Sequence, residues 1–367
     1  MDKQTELTKI RKKIDHTDSE IISLLGRRME YALQTRRLKI NDVNSGTVNE
    51  IIDLKREAEV LANCRKLSGE LTSAIFLDKL FREIITESKR LQEKELKLAG
   101  FQGEHGAYSE MALLHGNSVV PMPCVDFSDV FAGVTNGTLD FGIIPVENSI
   151  AGNVNIALDL LMDMDTELSV IEEIVLPVHH CLLALPETDY REIRVVYSHP
   201  MALLQCNGFI SRNGLEARPF YDTAGAAKMI AKERPVGGAA IASRLCAEKY
   251  GLEVLKENIE DDENNTTRFL LIAKTKSNEN ITGNKCSMIL STAHKPGALS
   301  SVLKIFSEHN VNLTRIESRP MKHETRKVAF LIDFQGSILD KNIADMLDRI
   351  KKDVVYFRLL GCYPEIT

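Results

Sequence analysis

Apolar residues recur at helical spacing through the first part of the chain. Leu7, Ile14, Ile21 and Leu25 form one stripe that weakens toward Leu38, and no proline interrupts residues 1 to about 96. Further helices are expected over 50–64 and 70–95, divided at Ser68-Gly69. From 96 to 274, short apolar runs such as 141–146, 193–197 and 269–273 alternate with helical patterns, which predicts an α/β architecture. Residues 277–284 are polar and read as a linker. Beyond them the order is strand 285–292, helix 299–309, strands 311–317 and 327–334, helix 338–350 and strand 354–359, a ferredoxin-like βαββαβ pattern. The pattern divides the chain into domains 1–95, 96–276 and 285–367.

Composition narrows the choice of partners. A net charge of −6 gives no support for nucleic-acid binding, which needs clustered surplus Lys and Arg. The first residues lack the apolar core of a secretory signal, and no run of about 18 apolar residues is present to cross a membrane. A cytoplasmic protein is therefore expected. Seven scattered cysteines without a CxxC pair predict reduced thiols, with no metal site and no cofactor.

On the first helix, charges stand where leucines belong. Arg11, Arg28 and Lys39 project within roughly 100° of one another, on the face of Ile14, Ile21 and Leu25. On the third, the stripe of Leu77, Phe81 and Ile84 continues as Ser88 and Gln92. Buried cations need a counter-charge, which an inter-helix salt-bridge network or a bound anion supplies; helix ends lying in solvent are the other reading. At about 1.5 Å per residue, Arg28 and Lys39 lie about 16 Å apart, but Arg11 and Arg28 roughly 25 Å. If all three hold one small ligand, Arg11 comes from an antiparallel second chain in an intertwined dimer.

With the Arg27-Arg28 pair, Asp53 and Arg56-Glu57, these residues resemble the all-helical chorismate mutase family from Leu7 to Gln92. The resemblance implies a Claisen rearrangement of a dicarboxylate, which needs positioning and charge stabilisation only. It implies that Arg28 and a partner's Arg11 bind carboxylates with Arg56 assisting, in a substrate site that also includes Asp53. Lys39 and Gln92 would face the ether oxygen, Glu57 the ring hydroxyl, and Ser88 would line the site. The 40–50 connection is longer than the resemblance leads one to expect.

In the α/β segment, polar clusters gather at strand–helix joints. Gly100, Gly103, Gly106 and Ser109 lie between an expected strand (95–99) and a helix beginning near Ser109. Their spacing is not a dinucleotide fingerprint, and no Walker-type Lys follows. Glu147-Asn148-Ser149, Ser198-His199-Pro200, Thr223-Ala224-Gly225 and Thr266-Thr267-Arg268-Phe269 sit at similar joints. Each alone reads equally as a turn or a cap; ligand sites in α/β folds gather at such places. His179 and His180 read as structural residues of a buried strand, and His199 is placed near the cleft.

In order, the blocks GAYSE, PVENS, HHCLL, YSHPMALLQC, DTAGAA and NNTTRF resemble prephenate dehydratase. That implies two α/β lobes similar to periplasmic binding proteins, with the active site between them. Loss of carbon dioxide and the ring hydroxyl needs a proton donor, and donors for the carboxylates. The resemblance implies Thr267 as the catalytic hydroxyl, Arg268 as a carboxylate anchor or strand brace, and Glu147, Asn148 and Ser149 as a polar wall. Ser109 and Thr223 would add hydroxyls.

In the last segment, Gly297-Ala298-Leu299 and Glu317-Ser318-Arg319-Pro320 resemble the paired elements of an ACT domain that binds phenylalanine; a plain dimerisation module is the other reading. The whole implies a multidomain enzyme: all-α mutase helices, an α/β dehydratase, and an α+β ferredoxin-like ACT domain. Chorismate and prephenate would be its substrates and phenylalanine its effector, bound at an interface between ACT domains in a homodimer or larger homo-oligomer. Arogenate as the second substrate, or a non-catalytic amino-acid sensor, are the competing readings.

Overall fold

The computed structural model describes residues 3–41, 53–163, 167–275, 283–320 and 328–366. The chain forms two compact units, Met1–Lys97 with Asn136–Thr138, and Leu98–Thr135 with Leu139–Thr367.

The first unit is helical, with α1 (Lys3–Asn41), α2 (Leu54–Lys66) and α3 (Ala74–Glu93). Asp53 caps α2 by accepting from Arg56 N at 2.9 Å, and Ser73 caps α3 by accepting from Phe76 N. Leu33, Leu61, Cys64, Ile84 and Ile85 are buried between the helices. Leu7, Ile14 and Ile21, the first half of the α1 stripe, remain exposed in the single chain. Most of the long connection after Lys39 lies outside the described residues, as does most of the expected linker at 277–284.

The second unit opens with β1 (Leu98–Gln102), α4 (Tyr108–Leu114), β2 (Val120–Cys124), α5 (Phe127–Thr135), β3 (Phe141–Asn148), β4 (Gly152–Asn153), α6 (Asn155–Leu161) and β5 (Leu168–Pro177). A second lobe follows with β6 (Cys181–Ala184), β7 (Val195–Ser198), α7 (Pro200–Gln205), α8 (Asn207–Arg212), β8 (Glu216–Pro219), α9 (Thr223–Glu233), β9 (Gly238–Ala242), α10 (Arg244–Tyr250) and β10 (Glu253–Lys256). The chain then returns to the first lobe as β11 (Thr266–Lys274). The sheet orders are β16-β5-β11-β3-β1-β2, where β16 is Glu365–Ile366 and β4 pairs with β3, and β10-β6-β9-β7-β8. Segments 178–180 and 257–265 connect the lobes, and one apolar cluster containing Phe101, Leu183, Ala240 and Phe269 runs from sheet to sheet. The first strand begins and ends three residues later than expected, so Gly100 lies within it. His179 and His180 lie in the connecting segment, not in a strand.

The C-terminal layer comprises β12 (Lys285–Ser291), α11 (Ala298–Glu308), β13 (Leu313–Pro320), β14 (Val328–Gln335), α12 (Lys341–Asp353) and β15 (Tyr356–Tyr363). Its sheet order, β13-β14-β12-β15, is that of the expected βαββαβ arrangement. Ile343, Met346, Leu347 and Ile350 bury one face of α12 against it. Sequence periodicity did not reveal β16 (Glu365–Ile366), which pairs in parallel with β5. β15 also approaches β5 closely: a Cβ on Gly361 would lie 2.0 Å from the Val170 carbonyl oxygen.

Candidate active sites

In the helical unit, Arg28 Nη1 donates to Ser88 Oγ at 2.5 Å, and Ser88 is buried. Burial pushes the Arg28 pKa below its ordinary value; Cys64 opposes this and the nearby Arg56 guanidinium adds to it. Two cations near one another, one of them partnered by a hydroxyl, favour an anion between them. Gln92 Nε2 donates to Ala32 O at 2.5 Å and keeps a second N–H. Glu57 meets Lys89 at 3.2 Å, a contact between α2 and α3 that the sequence pattern did not show. Arg56 pairs with Glu59 at 3.2 Å. Lys39 is exposed in the last turn of α1, and Arg11 is exposed on its first half. Arg28, Ser88, Glu57 and Gln92 thus belong to the packed part of the bundle, whereas Arg56 is exposed, as is Arg11.

In the second unit, a cavity of about 580 Å³ is lined by residues of both lobes, including Thr267, Ser109, Tyr108, Thr223, His199 and Phe269. It contains no Arg or Lys among its described lining residues. First-turn or capping residues of four helices border it: Tyr108 and Ser109 of α4, Phe127 and Ser128 of α5, His199 of α7, and Thr223 of α9. Helix N-termini present N–H groups and positive dipole ends; Asp222 already caps α9 and His199 caps α7, so α4 and α5 are the ones that can receive carboxylates without a cationic side chain.

Thr267 is well defined. Asn148 Oδ1 accepts from Ala151 N at 2.8 Å and Ile150 N at 3.1 Å, which fixes its amide orientation. Its Nδ2 therefore donates to Thr267 Oγ1 at 2.9 Å, as well as to Asn265 Oδ1 and Thr266 O. The Thr267 hydroxyl is an acceptor toward Asn148, and its own hydrogen remains for the cavity. Gln205 Nε2 approaches Asn148 Oδ1 at 3.4 Å, and Gln205 Oε1 lies 2.9 Å from His180 Nε2. The far nitrogen of His180 meets Tyr108 Oη at 2.9 Å. Burial lowers the His180 pKa and raises that of Tyr108 well above the usual range, so both are neutral. Sequence reasoning missed Gln205 and Tyr108: each sits inside a quoted block, but only the fold joins them to Thr267.

Three expected cleft residues lie elsewhere. Arg268 Nη1 donates to Glu147 at 2.7 Å, and Arg268 also binds Glu173 and Asp333, away from the cavity lining. Neither Arg268 nor Glu147 lines this cavity, and the reason is register. β11 pairs with β3 as Phe269↔Pro145, Arg268↔Glu147 and Thr267↔Asn148, with Val146 as an extra residue. This bulge shifts the phase, so Asn148 rather than Glu147 shares the face of Pro145 and Thr267. Ser149 is exposed and pins the strand end, donating to Asn264 O at 3.1 Å and accepting from Thr266 N at 3.0 Å.

A second cavity, of about 300 Å³, is lined by Gly297, Ala298 and Leu299 with His294, Val328 and Phe330. Gly297 has φ of +81°, a conformation that favours glycine. Glu317, Ser318, Arg319 and Pro320 do not line this cavity within the single chain. Glu317 accepts from Asn153 Nδ2 at 2.7 Å, and Arg319 pairs with Asp159 at 3.3 Å and Glu317 at 3.2 Å. Strand alternation turns these two side chains toward β4 and α6 and leaves Ser318 and Pro320 exposed. No helix among the described residues is long and apolar enough to cross a membrane, and no cluster of three metal-ligating side chains occurs among them.

Comparison with known proteins covers nearly the whole chain. Residues 10–93 match the family model "Chorismate mutase type II", 99–277 "Prephenate dehydratase", and 288–351 "ACT domain". A bifunctional chorismate mutase/prephenate dehydratase of Aquifex aeolicus is 33% identical over 98% of each chain. Arogenate dehydratase/prephenate dehydratase 1 of Arabidopsis thaliana is 35% identical over 72% of this chain and 71% of its own. The structure of prephenate dehydratase from Arthrobacter aurescens in complex with L-Phe superimposes with a TM-score of 0.67 at 30% identity, covering 73% of this chain and 90% of that one. The chain belongs to the bifunctional chorismate mutase/prephenate dehydratase family.

Proposed function

We propose that residues 1–95 rearrange chorismate to prephenate, that 96–276 convert prephenate to phenylpyruvate, and that 285–367 bind phenylalanine as feedback effector. In the mutase, Arg28 and Arg11 of the partner subunit hold the two carboxylates, with Arg56 adding positive potential and Ser88 orienting Arg28. Lys39 and the second N–H of Gln92 face the ether oxygen, where negative charge grows in the transition state. Glu57, held by Lys89, takes the ring hydroxyl, and Asp53 holds the start of α2 in place.

For the dehydratase, the observation that carries the reading is the Thr267 hydroxyl, oriented by Asn148 so that its hydrogen remains for the cavity. The bond from ring to carboxylate breaks and carbon dioxide leaves. Its electron pair enters the ring as the C–O bond breaks, and the departing hydroxyl takes a proton and leaves as water. Thr267 donates a hydrogen bond to that oxygen; a threonine is too weak an acid to be the net proton source in water, so solvent supplies the proton. Helix N-termini at Ser109 and Ser128 receive the carboxylates, and Thr223 adds a hydroxyl. The protein acts as a homodimer or larger assembly in the cytoplasm.

A second reading has support from the Arabidopsis relative, whose name includes arogenate dehydratase. The test is purified protein with chorismate alone, following prephenate and phenylpyruvate with and without phenylalanine. Phenylpyruvate formation suppressed by phenylalanine is expected. Prephenate that accumulates unconverted would move the second activity to arogenate, and unchanged chorismate would remove the first.

A further inference from the structure

Behind the cleft, the sheet that carries Thr267 meets the C-terminal sheet through buried charge that neither reaction uses. Arg268 grips Glu173 with two nitrogens, at 3.0 and 2.8 Å, and reaches Asp333 at 3.0 Å. Lys285 donates to Glu173 and to Glu365, both at 2.5 Å. The second oxygen of Asp333 accepts from Ser287 Oγ at 2.5 Å, and Ser287 also meets Tyr363. Glu173 and Asp333 are almost fully buried. Arg268, Glu173 and Glu147 come from three adjacent strands, β11, β5 and β3, whereas Asp333, Lys285 and Ser287 come from the C-terminal sheet.

Two alternations place this cluster between the two cavities. On β11, Thr267 faces the cleft and its neighbour Arg268 faces Asp333. On β14, Val328 and Phe330 line the 300 Å³ cavity, and Asp333 projects from the opposite face about 10 Å along the strand. A displacement of β14 at Phe330 therefore moves Asp333. Separating a buried charge from its partner is strongly unfavourable, so Arg268 follows Asp333 rather than parting from it. Arg268 shares a peptide bond with Thr267, and the hydroxyl shifts against the cleft.

We propose that Arg268 is the positioning residue through which the C-terminal domain controls Thr267, with Asp333 as the contact that transmits effector binding. The proposal rests on the dehydratase and feedback activities stated above. Coupling of this kind requires phenylalanine to bind the two arrangements of β14 unequally.

The test uses full-length protein and the Asp333→Asn variant, which keeps the shape and removes the charge. Phenylalanine binding by calorimetry is measured beside inhibition of prephenate turnover. If wild type neither turns over prephenate nor responds to phenylalanine, the functional reading itself fails before any variant is compared. With wild type inhibited, Asp333→Asn is expected to bind phenylalanine as wild type does while its half-inhibitory concentration rises about tenfold or more. Inhibition within twofold of wild type would overturn the proposal. If that variant fails to fold or to bind phenylalanine, the decision passes to Ser287→Ala, which removes the hydroxyl that orients Asp333 but no charge. Weakened inhibition with intact binding in Ser287→Ala supports the coupling, and unchanged inhibition overturns it.

Discussion

The Thr267 hydroxyl is an acceptor toward Asn148 and a donor toward the cavity, and this determines what each substitution removes. Thr267→Val keeps the volume but leaves the departing oxygen without its hydrogen bond. Loss of one such transition-state donor costs about 10²–10³ in kcat. KM for prephenate should stay nearly constant, and Thr267→Ser should retain most of the turnover; steady-state kinetics on prephenate checks both. A Val variant with wild-type kcat would remove Thr267 from the chemistry. His180 carries a pH prediction. Burial is the largest influence holding its pKa below 6.5; His179 adds to it, and Gln205 and Glu260 oppose it. The folded state keeps the neutral ring, whereas the unfolded chain gains a proton as pH falls through the ordinary value. The stability from this residue is complete above that value and is lost as pH falls toward the folded pKa. Thermal unfolding should therefore drop more steeply between about pH 7 and about pH 5.5 in wild type than in His180→Gln; parallel slopes would refute the assignment. Thr267 was legible because its block is distinctive, but which of the two expected roles Arg268 takes, and the side on which Glu147 lies, were not. The face on which each lies depends on the extra residue Val146, and a bulge leaves no mark in a local hydrophobic pattern.

Elements were legible where their order was locally encoded. Period-two and helical patterns give βαββαβ without reference to the rest of the chain, and the buried stripe of α12 follows directly from its spacing. Long-range pairing was not legible: β16 is two residues long and joins a strand far back in the sequence. The same holds for β13. Its Glu317 and Arg319 look like ligand residues from their motif; within one chain the strand lies at a sheet edge, where Glu317 meets Asn153 of β4 and Arg319 meets Asp159 of α6. Val154, the residue before α6, and Ile156 within it line the dehydratase cavity. Arg319→Ala should loosen this wall and raise KM for prephenate. The effect is bounded, because partly exposed ion pairs contribute about 1 kcal/mol at most, roughly a factor of five. Mutase turnover should be unchanged in the same preparation. A KM equal to wild type would mean that α6 is held without β13.

At the scale of the whole molecule, the proposed mutase site needs a second chain if Arg11 and Arg28 are to hold one small substrate. Arg28 sits within the packed bundle, and Arg11 lies about 25 Å away along the same helix. The first half of the α1 stripe (Leu7, Ile14 and Ile21) is exposed in one chain. Each is already about half covered, so burying the rest contributes about 1 kcal/mol apiece, which favours association of two antiparallel copies. In that dimer each active site combines Arg28 of one chain with Arg11 of the other. Arg11→Ala and Arg28→Ala should each abolish most mutase turnover, because every site in either homodimer lacks one cation. Mixing the two after reversible dissociation gives a different result. The Arg11→Ala chain still supplies Arg28, the Arg28→Ala chain still supplies Arg11, and one site of each mixed dimer is whole. Random reassortment makes half the dimers mixed, so recovery should approach about a quarter of wild-type mutase activity. Dehydratase turnover should be the same before and after mixing, since it draws on neither residue. No recovery in a mixture shown by mass to contain heterodimers would place both arginines in the same chain's site or remove Arg11 from the chemistry.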